Sequence, residues 1–427
     1  MRSQNVTIKQ FPFMNSFKNS ICMPHSVTHL ESAIDGTQLE FETIQTLHEG
    51  RPLWVKYDLN AVKANMDKNT VAKREPTMWR YRELLPTGTD RIEITLGEGM
   101  TPVLQCPTLG KQLGLKNLSV KDESQLPTGS FKSRGQAMAI TMAKKLGIKR
   151  VAIPTAGNAG GAMAAYATRA GMESFVFMPE DTPIVNQYEA YFFGASTYLV
   201  NGLINDCGKL VRDGKEKMNW FDISTLKEPY RIEGKKTMGL ELAEQFDWKL
   251  PDVILYPTGG GTGLIGMWKA FNELREMGWL DSENMPRMIS VQSDGCCPIS
   301  DAFEKGERFA DPFQNAKTIA SGLRVPVAVG DFMILDAVKE SGGRAMAVSE
   351  DKITAWTKQA CSAEGISLCP ESAACVGALE QLRDEKWVGE DDNIVIFNTG
   401  GLQKYVEVME TELPRIDLSQ PIDWTSI

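Results

Sequence analysis

An α/β fold built from two parallel-sheet domains is what this 427-residue sequence predicts. Three observations carry that expectation. Short β-branched runs alternate with longer helical stretches from about residue 118 onward. Several runs end in loops crowded with glycine and other small residues. The chain is also too long for one small core and suits two or three domains.

The first hundred residues are the least regular, with a strand-like piece around 53–57. Residues 1–30 contain no acid and carry Arg2, Lys9 and Lys18, which predicts a flexible or docking arm. Residues 150–154 read as a buried strand and 161–170 as an alanine-rich helix. Next come a strand over 174–178, a proline-bounded turn, a helix about 186–193 and a strand over 196–200. Residues 253–256 form a further strand, followed by a glycine loop and a long helix over 264–277. Runs at 288–291 and 393–397 close the series, and the tail after 413 reads as irregular. Strands and helices alternating at these lengths imply parallel pairing through right-handed crossovers.

The net charge of -9 argues against nucleic acid or an anionic membrane as the main partner. No stretch reaches the roughly 20 apolar residues of a membrane span. A small molecule is therefore the expected ligand. The eight cysteines show no CxxC spacing and read as reduced thiols of a cytoplasmic protein. All three histidines, His25, His29 and His48, lie in the first fifty residues. The body of the chain thus has no Ser-His-Asp machine and no histidine metal ligand, and proton transfer falls to lysine, carboxylate or tyrosine.

Lys132 is the sharpest candidate for chemistry. It lies in KDESQLPTGSFKSRG (121–135), where Gly129 and Gly135 flank small hydroxyl residues and Phe131. A lysine presented in this way can bond an aldehyde cofactor such as pyridoxal phosphate as a Schiff base; a surface lysine after a turn is the plainer alternative. Three glycine-rich loops bear on the choice. Thr155-Ala156-Gly157-Asn158-Ala159 leads from strand to helix. It suits an anion at the helix start, with the Asn158 amide free to meet an oxygen, or else a tight turn with an asparagine cap. Gly259-Gly260-Gly261-Thr262-Gly263 follows another strand and suits a phosphate. Gly261, Gly263 and Gly266 also match the dinucleotide fingerprint, so a nicotinamide oxidoreductase is the remote alternative. Thr399 follows the last strand, where its hydroxyl could meet a pyridine nitrogen or satisfy a turn.

In this order the motifs resemble the fold type II pyridoxal-phosphate enzymes, the tryptophan synthase β-like fold, and among them the threonine synthase family. The similarity runs through MWRYRELLP (78–86), LGEGMTP (96–102), the lysine motif, TAGNAGG (155–161), FDISTLKEPYRIEGKKT (221–237), PTGGGTG (257–263), ASGLRVP (320–326) and NTGG (398–401). The resemblance implies pyridoxal 5'-phosphate in a cleft between the domains. Lys132 would bond it, beside Phe131. Asn158 would contact its 3'-oxygen, Gly259 to Gly263 would hold its phosphate, and Thr399 would face its ring nitrogen. Thr155 with the 156–159 backbone would receive a substrate carboxylate.

The implied reaction turns O-phosphohomoserine and water into threonine and phosphate. Sister enzymes, namely cysteate synthase, diaminopropionate ammonia-lyase and threonine/serine dehydratase, are the alternatives. Lys121, Lys235 and Arg231 are the cations expected to serve the γ-phosphate, with Lys121 placed among the substrate contacts. The expected segments are an irregular 1–95, a large domain of 96–136 and 241–412, a small mobile domain of 137–240, and a tail of 413–427. A homodimer is compatible with the resemblance. Two departures, Ser133 after the lysine and the reading NTGGLQKY at 398–405, are expected to border the substrate. The stretch 29–36 lacks the cysteines of a zinc-binding relative, so no metal is expected.

Overall fold

A computed structural model describes residues 26–87, 93–409, 411–422 and 424–425. Thirteen strands occur among them: β1 (Val27–Ser32), β2 (Gln38–Leu39), β3 (Leu53–Tyr57), β4 (Val103–Gln105), β5 (Asn117–Asp122), β6 (Arg150–Pro154), β7 (Glu173–Pro179), β8 (Ser196–Val200), β9 (Phe221–Asp222), β10 (Val253–Pro257), β11 (Arg287–Ser293), β12 (Arg344–Val348) and β13 (Asn393–Asn398). They form three sheets, in the orders β2-β1-β3, β12-β11-β10-β13-β5-β4 and β8-β7-β6-β9. The first is antiparallel. The second is parallel except for β4, which runs against β5. The third is wholly parallel.

The predicted strands between 150 and 397 are present, with bounds moved by a residue or two. The expected N-terminal arm is corrected in part. Val27 to Leu30 belong to β1, where Leu30 is fully buried against the small antiparallel sheet; residues 1–25, with Cys22 and His25, lie outside the described residues. Among the described residues no helix is long and apolar enough to cross a membrane.

Parallel strands deliver their loops to one edge, and this edge holds the motifs. β10 is buried along its whole length between β11 and β13, as an all-apolar VILYP run requires. It ends directly at the glycine loop. β13 delivers Thr399 beside it, and β6 delivers 155–159 from the other parallel sheet. Lys132 opens the helix Lys132–Lys145. That helix packs on Tyr230–Gln245, which packs in turn on Thr262–Glu276. Glycine lets these helices approach. A Cβ at Gly234 would collide with the Arg134 carbonyl, and one at Gly266 would press on Lys235 and the Lys236 backbone.

Candidate active site

The loops enclose a cavity of about 620 Å³ between the two parallel sheets. Lys132, Phe131, Thr155 to Ala159, Gly259 to Gly263 and Thr399 all line it, so the structure brings together residues spread from 131 to 399.

Lys132 is half-buried at the first turn of its helix, its amine 4.4 Å from the centre of the Phe131 ring. Burial pulls the amine down to about 7, and the Arg231 charge adds to the shift while Glu371 opposes it. The group is thus a primary amine about half of which is neutral at pH 7, the form a nucleophile or base needs. Phe131 is fixed from behind. The Lys235 amine donates to its carbonyl oxygen and lies 4.0 Å from its ring centre.

The glycine loop ends where the helix Thr262–Glu276 begins, with Gly261 at φ +73 and no side-chain cap. Uncapped N–H groups at a helix start attract an anion. The glycines themselves have local causes. A Cβ at Gly259 would strike the Gly322 carbonyl, one at Gly261 the Ile334 side chain, and one at Gly263 the Tyr256 hydroxyl. The glycine run therefore reflects tight packing behind the loop as well as the open cradle in front. The same packing, with that of Gly266, accounts for the dinucleotide-like spacing without a nucleotide.

Asn158 starts the helix Asn158–Ala170. Its Nδ2 donates to the Tyr405 hydroxyl at 3.0 Å, while its buried Oδ1 has no partner. The Thr155 hydroxyl donates to the Gly157 carbonyl at 3.0 Å, which stiffens the turn. Thr399 donates its N–H to Ser372 Oγ at 2.9 Å, and its hydroxyl lies 3.4 Å from that same oxygen and 3.6 Å from Cys369 Sγ. Burial, then the Glu371 charge, push the Cys369 thiol up to about 12, so it stays protonated. The two groups nearest the Thr399 hydroxyl, Ser372 and Cys369, are thus uncharged.

Lys121 is corrected. It is fully buried on β5, away from the cavity wall, and bonds Glu241, the Thr101 carbonyl at 2.7 Å and Gln245 at 2.8 Å. A cation committed to a buried carboxylate has no free charge for a substrate. Lys235 is likewise behind the wall, held to Phe131. Arg231 is also buried behind the wall rather than on it: it donates to the wall residue Thr225 at 3.3 Å and to the Ile223 carbonyl at 3.1 Å, and its Nε is unpartnered. Ser133 is corrected as well. It is buried with its hydroxyl 2.8 Å from that of Thr128 and does not line the cavity. The NTGGLQKY departure does reach the site, through Tyr405.

Sequence reading missed Glu371, Ser321, Thr225 and Tyr405, and the cations Lys209, Arg212, Lys227 and Arg324, all on the cavity wall. Arg324 is held by Asp181 through bonds of 2.8 and 3.0 Å, and Lys227 pairs with Asp222 at 3.2 Å. Thr225, Lys227, Ser321, Arg324 and Tyr405 lie in the motifs quoted above, but no spacing reveals which of a motif's side chains turns to the cavity; Glu371, Lys209 and Arg212 lie outside those motifs.

The profile of the family described as pyridoxal-phosphate dependent enzyme matches residues 94–400. The threonine synthase of Methanocaldococcus jannaschii is 36% identical over 361 residues, covering 84% of this chain and 88% of that protein. The threonine synthase of Methanosarcina acetivorans is 36% identical over 352 residues, covering 82% and 85%. Among solved structures, maize serine racemase superposes with a TM-score of 0.61 at 23% identity, covering 72% of this chain and 91% of that one.

Proposed function

The chain belongs to the threonine synthase family of pyridoxal-phosphate-dependent enzymes, and on that premise we propose that it converts O-phosphohomoserine and water into threonine and phosphate. The observation that carries the reading is the half-buried Lys132 amine, its proton held far more loosely than an ordinary lysine's, facing a cavity bounded by the glycine loop and Thr399.

These residues fit the cofactor: a free amine, an uncapped helix start and the uncharged groups nearest Thr399 match an aldehyde, a phosphate and an unprotonated pyridine nitrogen. Lys132 would bond it next to Phe131, Gly259 to Gly263 with Thr262 would hold its phosphate, and Asn158 and Thr399 would contact its ring. When bound, it supplies an electron sink beside the substrate's α-carbon. Lys132 Nζ, held near 7 and so able both to take and to give a proton at neutral pH, takes up and returns the protons that leave substrate carbon. Thr155 and the 156–159 backbone receive the α-carboxylate. Arg231, through its place behind Thr225, is the cation we assign to the γ-phosphate in place of Lys121. Residues 137–240, which include β6 to β9, act as the segment that closes over the cavity and limits water.

A panel of O-phosphohomoserine, threonine, serine and 2,3-diaminopropionate, assayed for phosphate and ammonia, tests the reading. Phosphate and threonine in equal amounts from O-phosphohomoserine are expected. Ammonia from another member, with no phosphate released, would move the protein to a sister reaction.

A further inference from the structure

Glu371 stands on the cavity wall, 3% exposed, at the start of the helix Pro370–Asp384. The proposed machinery makes no use of it. Its Oε1 accepts the Gly322 N–H at 2.8 Å. Its Oε2 is buried without a hydrogen-bond partner, and among the described residues it has no ion pair. A buried carboxylate oxygen left unpaired is costly and calls for a donor from elsewhere. Gly322 carries no Cβ, and one there would press on Oε1, so the loop is shaped to admit this carboxylate. The group is also near enough to Lys132 to shift its amine, which places both at the reacting end of the cavity. Tyr405 stands alongside with its hydroxyl within reach of this carboxylate, though no well-aligned hydrogen bond joins it to Oε2: burial, then the Glu371 charge, push its phenol well up, so it remains a neutral neighbour, and Oε2 keeps room for a second donor.

An ionised carboxylate only accepts hydrogen bonds. It repels the substrate's carboxylate and phosphate, which belong with Arg231 and the backbone N–H groups. It welcomes a hydroxyl. We propose that Glu371 receives the β-hydroxyl of the amino-acid product, and so makes the cavity selective for hydroxy amino acids. This rests on the reaction proposed above, in which the oxygen of water ends on the β-carbon.

The test uses the cofactor-loaded enzyme and two ligands that differ only in that hydroxyl, L-threonine and L-2-aminobutyrate, titrated by the change in cofactor absorbance. A hydrogen bond to a charged acceptor predicts threonine bound about tenfold tighter or more. Glu371→Gln keeps the shape and the Gly322 contact but loses the charge, and the preference is expected to fall to about threefold or less, with 2-aminobutyrate affinity little changed. Glu371→Asp, which withdraws the carboxylate by one methylene, serves if the glutamine variant does not accumulate, with the same expectation. Equal affinities in the native enzyme, or an undiminished preference in the variant, overturns the assignment. Phosphate release from O-phosphohomoserine is assayed in parallel. Its absence alongside an intact hydroxyl preference would remove the proposed reaction and leave the Glu371 site standing.

Discussion

Two sets of charges gather at the first turn of the helix Lys132–Lys145, and they differ in one respect. Around Arg134 every group is matched. The guanidinium meets Glu123 at 2.6 and 2.8 Å and Glu241 at 2.9 and 3.1 Å, Lys121 completes the set, and the Thr101 hydroxyl donates to Glu123 at 2.6 Å. Around Lys132 the matches stop short. The amine has neither hydrogen bond nor ion pair among the described residues, and Asn158 Oδ1, Ser321 Oγ and Glu371 Oε2 are left without partners. Burial penalises both sets alike. The first answers the penalty internally and acts as a structural staple; the second leaves it to be answered by a ligand. Lys121 shows why the distinction matters. By sequence it is a cation eleven residues before Lys132 and a fair candidate for a phosphate, yet its partners put it in the staple.

Breaking each region should have different consequences. Lys132→Ala is expected to lower turnover about a thousandfold or more, because base and nucleophile are lost together, while the thermal midpoint stays close to native. Steady-state kinetics and calorimetry check both halves. Glu241→Gln is expected to do the reverse. It strips the staple of the charge that answers Arg134 and Lys121, and should cost about 3–5 kcal/mol of stability by denaturant unfolding.

The pH response of that carboxylate sharpens the contrast. Burial alone would raise Glu241, but Arg134 and Lys121 outweigh it and hold it down to about 2. A folded value below the unfolded one means that its contribution is full above about 4.5 and lost as pH falls towards 2. The native protein should therefore lose this part of its stability on acidification, and Glu241→Gln should show a flatter acid limb. Lys132 responds in a different range. Cofactor capture by the cofactor-free protein should rise about tenfold from pH 6 to pH 8, as an amine near 7 loses its proton. An unperturbed lysine would still be gaining rate beyond pH 9.

Smaller effects separate loop from scaffold. Thr262→Val preserves shape but removes a hydroxyl at the uncapped helix start, and about tenfold weaker cofactor retention is expected by dialysis. Gly261→Asp is a poorer probe, since at φ +73 and against Ile334 it strains the backbone whatever the loop binds. Ser133→Ala removes a hydroxyl that meets Thr128 and the buried Tyr166, so about 1–2 kcal/mol of stability and no change in turnover are expected.

The legible part of the sequence was its periodic part. Runs such as VILYP and NIVIFN have one use in an α/β chain, a strand buried on both faces, and they locate the loops that follow. Hence Lys132, Asn158, the glycine loop and Thr399 were all found on one cavity. The illegible part depended on direction. Nothing in LCPESAAC tells that Glu371 turns to the cavity while Cys369 stays behind Thr399. Nothing in GSFKSR tells that Ser133 faces Thr128. β12 and the helix Tyr230–Gln245 also escaped notice, the helix because it is buried nearly all round and carries charges matched inside the core.

The central claim, that the amine of Lys132 carries the cofactor, is open to one direct measurement. The purified, cofactor-loaded protein is reduced with borohydride, digested, and its lysines surveyed by mass spectrometry for a phosphopyridoxyl adduct. The adduct is expected on Lys132 alone, with Lys121 and Lys235 unmodified. An adduct on Lys235 or on any other lysine, with Lys132 bare, would contradict the account.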